Sequence, residues 1–570
     1  MEHFKNVPRG TGVLNKFLYK KAKKMIITAN FVDIHNREIY PASVDIEDGR
    51  IASVKKADAT PEVYMLPGFI DAHVHIESSM VTPVAFAYQA VKHGTVGVVT
   101  DPHEIANVLG EAGVDFMIEN GELTPLKIMF GAPSCVPATG FESSGARIDV
   151  ASINALLDRK GIGYLSEMMN FPGVIHNDAE VLKKIEIARE KGLPVDGHAP
   201  GLIGDDLKRY VDAGISTDHE CFSLEEAEEK IEAGMKILIR EGSGAKNYKA
   251  LRPLIKSHPG KIMFCTDDLH PDDLLEGHIN KLVFRAIKEG YNLYDVLRAA
   301  SRNAVEHYQL ETGLLREGDP ADFILIDSFE QGNIIATYIN GEKVFSEGRT
   351  HFDQVQSGTP NHFETGKIST ADLQVSARGI LLRTIEAIDG ELITKSKTMK
   401  ALIKDGFVIP DPERDLLKIV VVNRYRQCDP SVAFIHGFGL KQGALVSSIG
   451  HDSHNIICVG ASDEAIAEAI NWVIDHKGGI AMHDGEKVLG LPLEIAGIIS
   501  VKTVKEAAEK YKELSKNAKV LGSGLTAPFM TLAFMSLLVI PELKLSDQGL
   551  FDGSNFSFTS LFIDSDEYRL

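Results

Sequence analysis

The sequence predicts an α/β protein whose largest part is a parallel (β/α)8 barrel. Between residues 67 and 320, short apolar runs of strand length alternate with helical stretches. Eight such runs occur, and each of them ends in polar residues, as barrel strands do when their carboxyl ends carry an active site. Stretches rich in β-forming residues flank this region on both sides, which indicates a second, smaller β domain.

The chain before the barrel divides into two parts. Residues 1–24 are basic but lack an apolar run followed by a small-residue cleavage site, so we expect an N-terminal arm and not a secretory signal. Residues 25–66 are short β-rich pieces joined by turns, beginning with "MIITANFVDIHNREIY", and a similar stretch returns at 321–350. Because no helical periodicity interrupts either stretch, we expect both to complete one small β-sandwich domain.

The eight barrel strands are predicted from their apolar character and polar ends. In chain order they are "PGFIDAHVHI", "VGVVTDPHE", "LKIMFGAPS", "GYLSEMMN", "LPVDGHAP", "GISTDHE", "KILIREGS" and "IMFCTDDLH". The active site of such a barrel is expected where these strands end.

The remainder of the chain is predicted to be a linker and a C-terminal domain. Residues 351–371 are polar and rich in turn-forming residues, which is typical of a linker. Residues 372–570 combine strand-like runs such as "KIVVVNRY" with the helical "DEAIAEAINWVIDHKGG", which predicts a C-terminal α/β (α+β) domain. Its most apolar segment, residues 527–540, is shorter than the roughly 18 residues that span a bilayer, so we expect it in a core or an interface.

Composition restricts the class of function. The 570 residues exceed what one core usually organises, so several domains are expected. A net charge of −20 argues against a general nucleic-acid or anionic-membrane binder, because both need a positive surface potential. The five cysteines include no Cys-x-x-Cys pair, which argues against a disulfide framework and favours a cytoplasmic location.

Histidines and carboxylates occupy the strand ends. Six positions share this feature: His73, His75, Glu167, His198, His219 and Asp267. Residues i and i+2 of a strand share a face, so the first two imidazoles point the same way. A lone histidine or acid at such a place is more often a hydrogen-bonded residue or a helix cap. Six polar groups converging on one mouth would be costly without partners, and divalent cations remove that cost.

This set of residues resembles the ligand set of the amidohydrolase superfamily. Many members with two metal ions use a carboxylated lysine on strand four, whereas "GYLSEMMN" contains no lysine and offers Glu167. Together with "TDPHEIANVLG", "FGAPSCVPATGFESSGA", "STDHECFSLEEA" and "SIGHDSHNIICVG", this substitution looks like the adenine deaminase family, over nearly the whole chain. The resemblance implies a metal-dependent hydrolase that removes ammonia from adenine and yields hypoxanthine in purine salvage.

The resemblance also implies roles for the six residues. We assign His73, His75 and Asp267 to one metal ion, His198 and His219 to a second, and Glu167 to a bridging position between them. Asp267 is further predicted to accept a proton from the attacking water and to deliver it toward the departing amine. Nitrogen and oxygen ligands without thiolate suit zinc, iron or manganese, and the resemblance implies manganese or iron.

Other polar residues beyond the strand ends are candidates for contacts with the substrate. The ring nitrogen next to the reacting carbon must gain a proton, and its donor stays open among Glu77, Asp101, His103, Glu104 and His270. Arg240 and Ser243 are further candidate substrate contacts. Glu77 could instead cap a following turn, and Glu104 could simply begin a helix. Residues 451–455, "HDSHN", are interpreted either as a lid over the mouth or as a surface turn.

Two alternative functions are weighed against this hypothesis. A cyclic-amide hydrolase of the same superfamily, such as a dihydroorotase or hydantoinase, or another ring deaminase, would more often carry the strand-four lysine and would not explain the long C-terminal domain. A non-catalytic scaffold should have lost ligands, whereas all six are present. We therefore expect a small-molecule substrate, no nucleic-acid or membrane partner, and a homo-oligomer of two or more subunits.

Overall fold

The computed structural model describes residues 24–563. The predicted N-terminal arm therefore lies outside the described residues, apart from Lys24. Four strands precede the barrel: β1 (Met25–Asp33), β2 (Glu38–Glu47), β3 (Arg50–Lys56) and β4 (Tyr64–Pro67).

The barrel contains all eight strands that the sequence predicts. They are β5 (Phe69–Val74), β6 (Thr95–Thr100), β7 (Lys127–Ala132), β8 (Ile162–Met168), β9 (Val195–Gly197), β10 (Thr217–Asp218), β11 (Lys236–Arg240) and β12 (Ile262–Cys265). Within β5–β9 and within β10–β12 the strands pair in parallel. Every residue of β5, β6 and β12 is buried, as expected for parallel strands covered on both faces.

Backbone hydrogen bonds close the barrel at its two seams. Ser216 N donates to Val195 O at 2.9 Å and joins the fifth strand to the sixth. Asp267 N donates to His73 O at 2.9 Å, and His75 N donates to Asp267 O at 3.1 Å, so the end of the eighth strand pairs with the end of the first. This second seam places three of the predicted ligands side by side.

Helices cover the barrel and connect its strands. They are α1 (Pro83–Ala90), α2 (His103–Leu109), α3 (Glu111–Gly121), α4 (Val150–Leu156), α5 (Phe171–Ile175), α6 (Ala179–Glu190), α7 (Gly204–Ala213), α8 (Leu224–Glu232), α9 (Tyr248–Leu251), α10 (Leu254–Ser257), α11 (Pro271–Glu276), α12 (Ile279–Lys288), α13 (Leu293–Leu297) and α14 (Asn303–Tyr308). Short 3₁₀ helices span Ile76–Ser79 and Val91–His93, and a π-helical turn spans Arg298–Arg302. Polar caps fix several starts, as where the Asp178 carboxylate accepts from two backbone N–H groups of α6.

The chain then returns to the first sheet. Strands β13 (Phe323–Ile326), β14 (Ile334–Ile339), β15 (Glu342–Ser346) and β16 (Arg349–Thr350) complete one eight-stranded sheet in the order β16-β15-β14-β13-β4-β1-β2-β3. The two stretches meet where β13 pairs antiparallel with β4, with Phe323 opposite Pro67. The chain segments that precede and follow the barrel in the sequence therefore build one common sheet.

The C-terminal region forms a second large sheet and several small ones. Its strands are β17 (Val375–Ser376), β18 (Leu381–Ala387), β19 (Thr394–Lys400), β20 (Leu402–Lys404), β21 (Phe407–Ile409), β22 (Leu417–Val422), β23 (Ser431–His436), β24 (Ala444–Ser447), β25 (Ile456–Gly460), β26 (Gly479–His483), β27 (Val488–Pro492), β28 (Leu543–Ser546), β29 (Gly549–Asp552) and β30 (Ser557–Phe558). Its helices are α15 (Asp463–His476), α16 (Val504–Val520) and α17 (Pro528–Phe534), with 3₁₀ turns at Thr370–Leu373 and Pro412–Arg414. The eight-stranded sheet has the order β19-β18-β23-β22-β25-β24-β26-β27.

This C-terminal sheet is buried on both faces. Helix α15 covers one face, where Ile466 and Ile470 pack with Val420 and Cys458. The other face shares one continuous apolar core with α16 and with barrel helices such as α1. The shared core fixes the C-terminal region against the barrel. No helix within residues 24–563 combines the length and the apolar composition that a bilayer span needs.

Candidate active site

The six predicted ligands converge at the carboxyl ends of the barrel strands. Glu167, at the end of β8, lies between three of the histidines: its carboxylate oxygens are 2.7 Å from His198 Nδ1, 3.3 Å from His75 Nε2 and 3.3 Å from His219 Nε2. Asp267 Oδ1 lies 3.1 Å from His75 Nε2 and 3.8 Å from His73 Nε2. The His73 and His219 rings stack with centroids 4.2 Å apart.

The backbone orients these side chains. Strand alternation in β5 turns His73 and His75 to the same side. His75 Nδ1 donates to Asp101 O at 3.0 Å, which fixes the ring with Nε2 facing the two carboxylates. Asp267 has a left-handed backbone conformation with φ of 56°, and its N–H and C=O are held by the first strand.

Buried atoms without hydrogen-bond partners indicate a place for metal ions. Neither ring nitrogen of His73 has a hydrogen-bond partner, although this side chain is fully buried. Burial lowers the pKa of His73 well below its ordinary value, which favours the neutral ring that a metal ligand needs. Ligand atoms of His73, Glu167 and His219, and those of His73, His75 and Asp267, lie within 4.8 Å of one another. A donor set of imidazole nitrogens and carboxylate oxygens fits divalent metal ions.

Neighbouring charges keep both carboxylates ionised. Burial opposes ionisation of Glu167, but His198 and the other imidazoles more than offset it and hold the pKa of this carboxyl well below its usual range. Burial likewise opposes ionisation of Asp267, and Arg240 provides the largest compensating interaction, which lowers the pKa of Asp267. Arg240 Nη1 contacts both Asp267 and Glu220.

The structure brings several of the other candidates to the same cavity. His103, Glu104 and Arg240 line it beside the predicted ligands. His103 Nδ1 lies 2.9 Å from Asp101 Oδ2 and 3.3 Å from Glu167 Oε1, so Asp101 supports His103 from behind. Glu77 is buried next to this group, where its carboxylate accepts from Ile105 N at 3.3 Å.

Two of the candidates do not reach the ligand cluster. Ser243 Oγ donates to Asp273 Oδ2 at 2.6 Å and accepts from His270 N at 2.8 Å. The His270 ring packs edge-on against Tyr511 with centroids 4.9 Å apart. Both side chains therefore support the start of α11 and a smaller neighbouring cavity, to which His270 contributes.

Sequence reasoning missed several residues of the cavity wall. Glu220 and Asp268 each directly follow a predicted ligand, so their positions alone could have identified them. His451 and Asp452 come from the segment 451–455, and the structure places this segment at the mouth and not on the surface. His451 Nδ1 lies 2.8 Å from Glu104 Oε1, and His454 contacts the other oxygen of that carboxylate.

The apolar segment 527–540 also reaches the cavity. Phe534, Leu537, Val539 and Ile540 line it, together with Leu392. No local signal in the sequence connects this segment to the barrel, because the contact depends on how the C-terminal sheet docks.

Two family models match the chain. The model of the amidohydrolase family matches residues 64–344, and the model of the adenine deaminase C-terminal domain matches residues 391–557.

Curated relatives extend this similarity over nearly the full length. An adenine deaminase of Salinibacter ruber is 53% identical over 541 residues, which cover 94% of this chain and 99% of that protein. Adenine deaminases of Methanosarcina mazei and Parabacteroides distasonis are 52% and 50% identical, over 94% and 95% of this chain and 98% and 100% of those proteins. Among solved structures, an N-acetyl-D-glucosamine-6-phosphate deacetylase of Mycobacterium smegmatis is similar over 56% of this chain and 100% of its own, with 15% identity and a TM-score of 0.44.

Proposed function

Because the chain belongs to the adenine deaminase family of amidohydrolases, we propose that its cluster of buried histidines and carboxylates is the place where adenine is hydrolysed to hypoxanthine and ammonia. One observation carries this assignment: six ligand-type side chains from five barrel strands meet in one cluster, and all of them except His73 line the cavity. Deamination is a hydrolysis, in which water replaces the exocyclic amine on carbon six of the purine.

The donor set supports two divalent cations. His73, His75 and Asp267 would hold one ion, His198 and His219 the other, and Glu167 would contact both. When bound, these ions would lower the pKa of water and so supply a nucleophile at neutral pH. Ligands without a thiolate suit zinc, iron or manganese, and the family resemblance favours manganese or iron, with zinc as the alternative.

Asp267 is proposed to move the proton. It would accept the proton that the attacking water releases and return it to the departing amine, which leaves as ammonia. Arg240, in contact with Asp267, keeps the carboxylate ionised and oriented before the reaction.

His103 and Glu104 are proposed to contact the purine edge, because both line the cavity beside the ligands. One of them would protonate the ring nitrogen next to carbon six, with Asp101 holding His103 in place. Glu77 lies behind the residues that line the cavity, where its carboxylate accepts from Ile105 N and supports the start of α2.

Ammonia release from a panel of compounds tests the proposed function. We expect release from adenine when the protein is loaded with manganese or iron, and none from guanine, cytosine or dihydroorotate. Ammonia release from guanine or cytosine in preference to adenine would contradict the assignment. Ring opening of dihydroorotate, which yields a carbamoyl acid without ammonia and is followed by ultraviolet absorbance, would contradict it as well. Adenosine belongs to the same panel, and its expected result is argued below.

Two further predictions concern the location and the oligomeric state of the protein. The protein is proposed to act on a small molecule as a cytoplasmic homo-oligomer of two or more subunits. Sedimentation velocity of the metal-loaded protein measures the oligomeric state, and a monomer across the micromolar range would contradict it.

A further inference from the structure

An apolar wall from the C-terminal region closes the active-site cavity. We call the residues Leu392, Phe534, Leu537, Val539 and Ile540 the roof. With Met530 and Ala527 they form a small hydrophobic cluster that is separate from the main cores. The roof therefore packs on itself and on the cavity, while Phe529, Leu532 and Met535 of the same chain segment anchor it in the large core.

His451 connects the roof to the barrel beside the ligand cluster. The Phe534 ring stacks on His451 with centroids 4.6 Å apart and an angle of 11° between the planes. His451 N donates to Ala533 O at 3.1 Å, and the same ring reaches Glu104 at 2.8 Å. One histidine thus connects the roof to a cavity residue contributed by the barrel.

Lys544 joins the two chain segments of the roof. This residue of β28 is fully buried, and its ammonium donates to Leu392 O at 2.7 Å and to Phe534 O at 2.9 Å. Within residues 24–563 no carboxylate lies at ion-pair distance from it, and burial lowers the pKa of Lys544 to about 7. A buried ammonium without a counter-ion is costly, so its two bonds to the roof backbone indicate a role in positioning these segments.

The geometry of the purine ring indicates which substrates the roof would accept and which it would exclude. Carbon six, which loses the amine, and nitrogen nine, which carries the ribose of a nucleoside, lie at opposite ends of the bicyclic ring. A purine with carbon six at the ligand cluster would direct nitrogen nine away from that cluster, and the roof is the apolar part of the cavity wall. An apolar wall at nitrogen nine would accept the bare ring, but it would offer no partner for ribose hydroxyls and would exclude an N9 substituent.

We propose that the roof selects the free base over N9-substituted purines, and that Lys544 is a positioning residue that sets the roof at the distance this selection requires. The proposal rests on the proposed function, because it takes adenine as the substrate. It assigns to the C-terminal region a share in substrate recognition.

The test compares adenine with 9-methyladenine, which adds only a methyl group at nitrogen nine, and with adenosine. Steady-state kcat and KM are measured for the manganese-loaded wild type and for L537A, K544M and K544Q. The matched control is K441M, because Lys441 also donates to a backbone carbonyl, Pro412 O at 2.9 Å, but on the surface.

The ratio of kcat/KM for 9-methyladenine to kcat/KM for adenine is the decisive quantity. We expect L537A and K544M to raise this ratio at least about tenfold, the scale on which a pocket discriminates one methyl group. In both variants adenine should show a raised KM with a kcat close to that of the wild type. K441M should leave the ratio unchanged, and K544Q, which retains two N–H donors, should fall between wild type and K544M.

A merely structural loss would lower both activities together and leave the ratio constant. A ratio within about twofold of wild type in L537A overturns the role of the roof, since one methyl group is worth more than that in a closed pocket. The same result in K544M, or in K544Q if K544M does not fold, overturns the role of Lys544. Absence of adenine deamination in the wild type would instead contradict the proposed function itself.

Discussion

Glu167 lies at the centre of the ligand cluster, where its two oxygens approach His75, His103, His198 and His219 within 3.3 Å. A carboxylate in this position could hold cations, and it balances the surrounding imidazoles. The surrounding histidines need the negative charge of Glu167, because removal of one partner from a buried ionic group leaves the others unpaired.

Glu167→Gln should therefore lose metal ions and activity together. We expect at least about a hundredfold fall in kcat/KM for adenine, because the effect of a direct ligand should equal or exceed that of a residue behind it. Elemental analysis of the purified variant gives the metal content. Glu119 is an exposed carboxylate on α3, and the control variant Glu119→Gln should keep both its metal content and its activity. Full metal content with full activity would rule out the bridging role.

Asp267→Asn should impair turnover more than binding. An amide cannot accept the proton from water, so kcat should fall by about two to four orders of magnitude while KM changes little. Steady-state kinetics on adenine measure both quantities. The exposed Asp205→Asn should behave as wild type. If Asp267→Asn turned over near the wild-type rate, another group would have to carry the proton.

The buried carboxyl groups of Glu142 and Asp452 should make the stability of the folded protein depend on pH. Burial raises the pKa of Glu142 well above its usual value, Asp452 adds to this effect, and burial raises the pKa of Asp452 to about 6. The folded state thus retains protons that the unfolded chain releases above the ordinary carboxyl pKa values of 4.5 and 3.8. Stability contributed by these protons is present at low pH and is lost as pH rises through the folded pKa values.

Glu142→Gln cannot ionise, so its free energy of unfolding should fall less than that of wild type between about pH 5 and pH 8. Urea unfolding at both pH values measures the difference. The exposed Glu186→Gln should follow the wild-type slope. A variant that loses stability over this range as steeply as wild type would show that Glu142 ionises normally.

At the scale of elements, the close approach of β5 to β6 depends on the glycine that precedes β5. A Cβ added at Gly68 would lie 2.2 Å from Val96 Cγ1, inside the packed core. The ligand-bearing strand therefore begins at a position that has no room for a side chain.

Gly68→Ala should destabilise the protein by about 1–3 kcal/mol, because overpacking displaces β5 or β6. The midpoint of urea unfolding measures this loss. Gly140→Ala is the matched control, since no atom lies within 4 Å of an added Cβ there. Equal midpoints for both variants would mean that the strands adjust without cost.

On the scale of the whole molecule, the proposed metal ions would couple to folding through the barrel seam. The ligands come from strands that are far apart in sequence, and β5 and β12 meet at this seam. Ions that bind only the folded chain stabilise it by mass action.

Removal of metal ions should therefore lower the melting temperature. Chelated and dialysed protein is expected to melt below the manganese-loaded form, by an amount that corresponds to about 2.7 kcal/mol at a metal concentration one hundred times Kd. Scanning calorimetry with increasing manganese measures the shift. Glu167→Gln, scanned in parallel, should show little response. A wild-type melting temperature independent of metal would contradict ion binding at the cluster.

The sequence alone determined the barrel and its six converging side chains. Apolar runs, their spacing and the histidine or acid that ends each run are local properties, and parallel strands bring their carboxyl ends to one face whatever the loops do. That is why His73 and Asp267, nearly two hundred residues apart, could be placed together without coordinates.

Tertiary packing selects the other groups that complete the cavity. The pairing of Arg240 with Asp267 and Glu220, the contact of His451 with Glu104 and the roof held by Lys544 all depend on side-chain reach or on the docking of a distant sheet. The packing of the shared core selects these contacts, and neither residue type nor strand period encodes them.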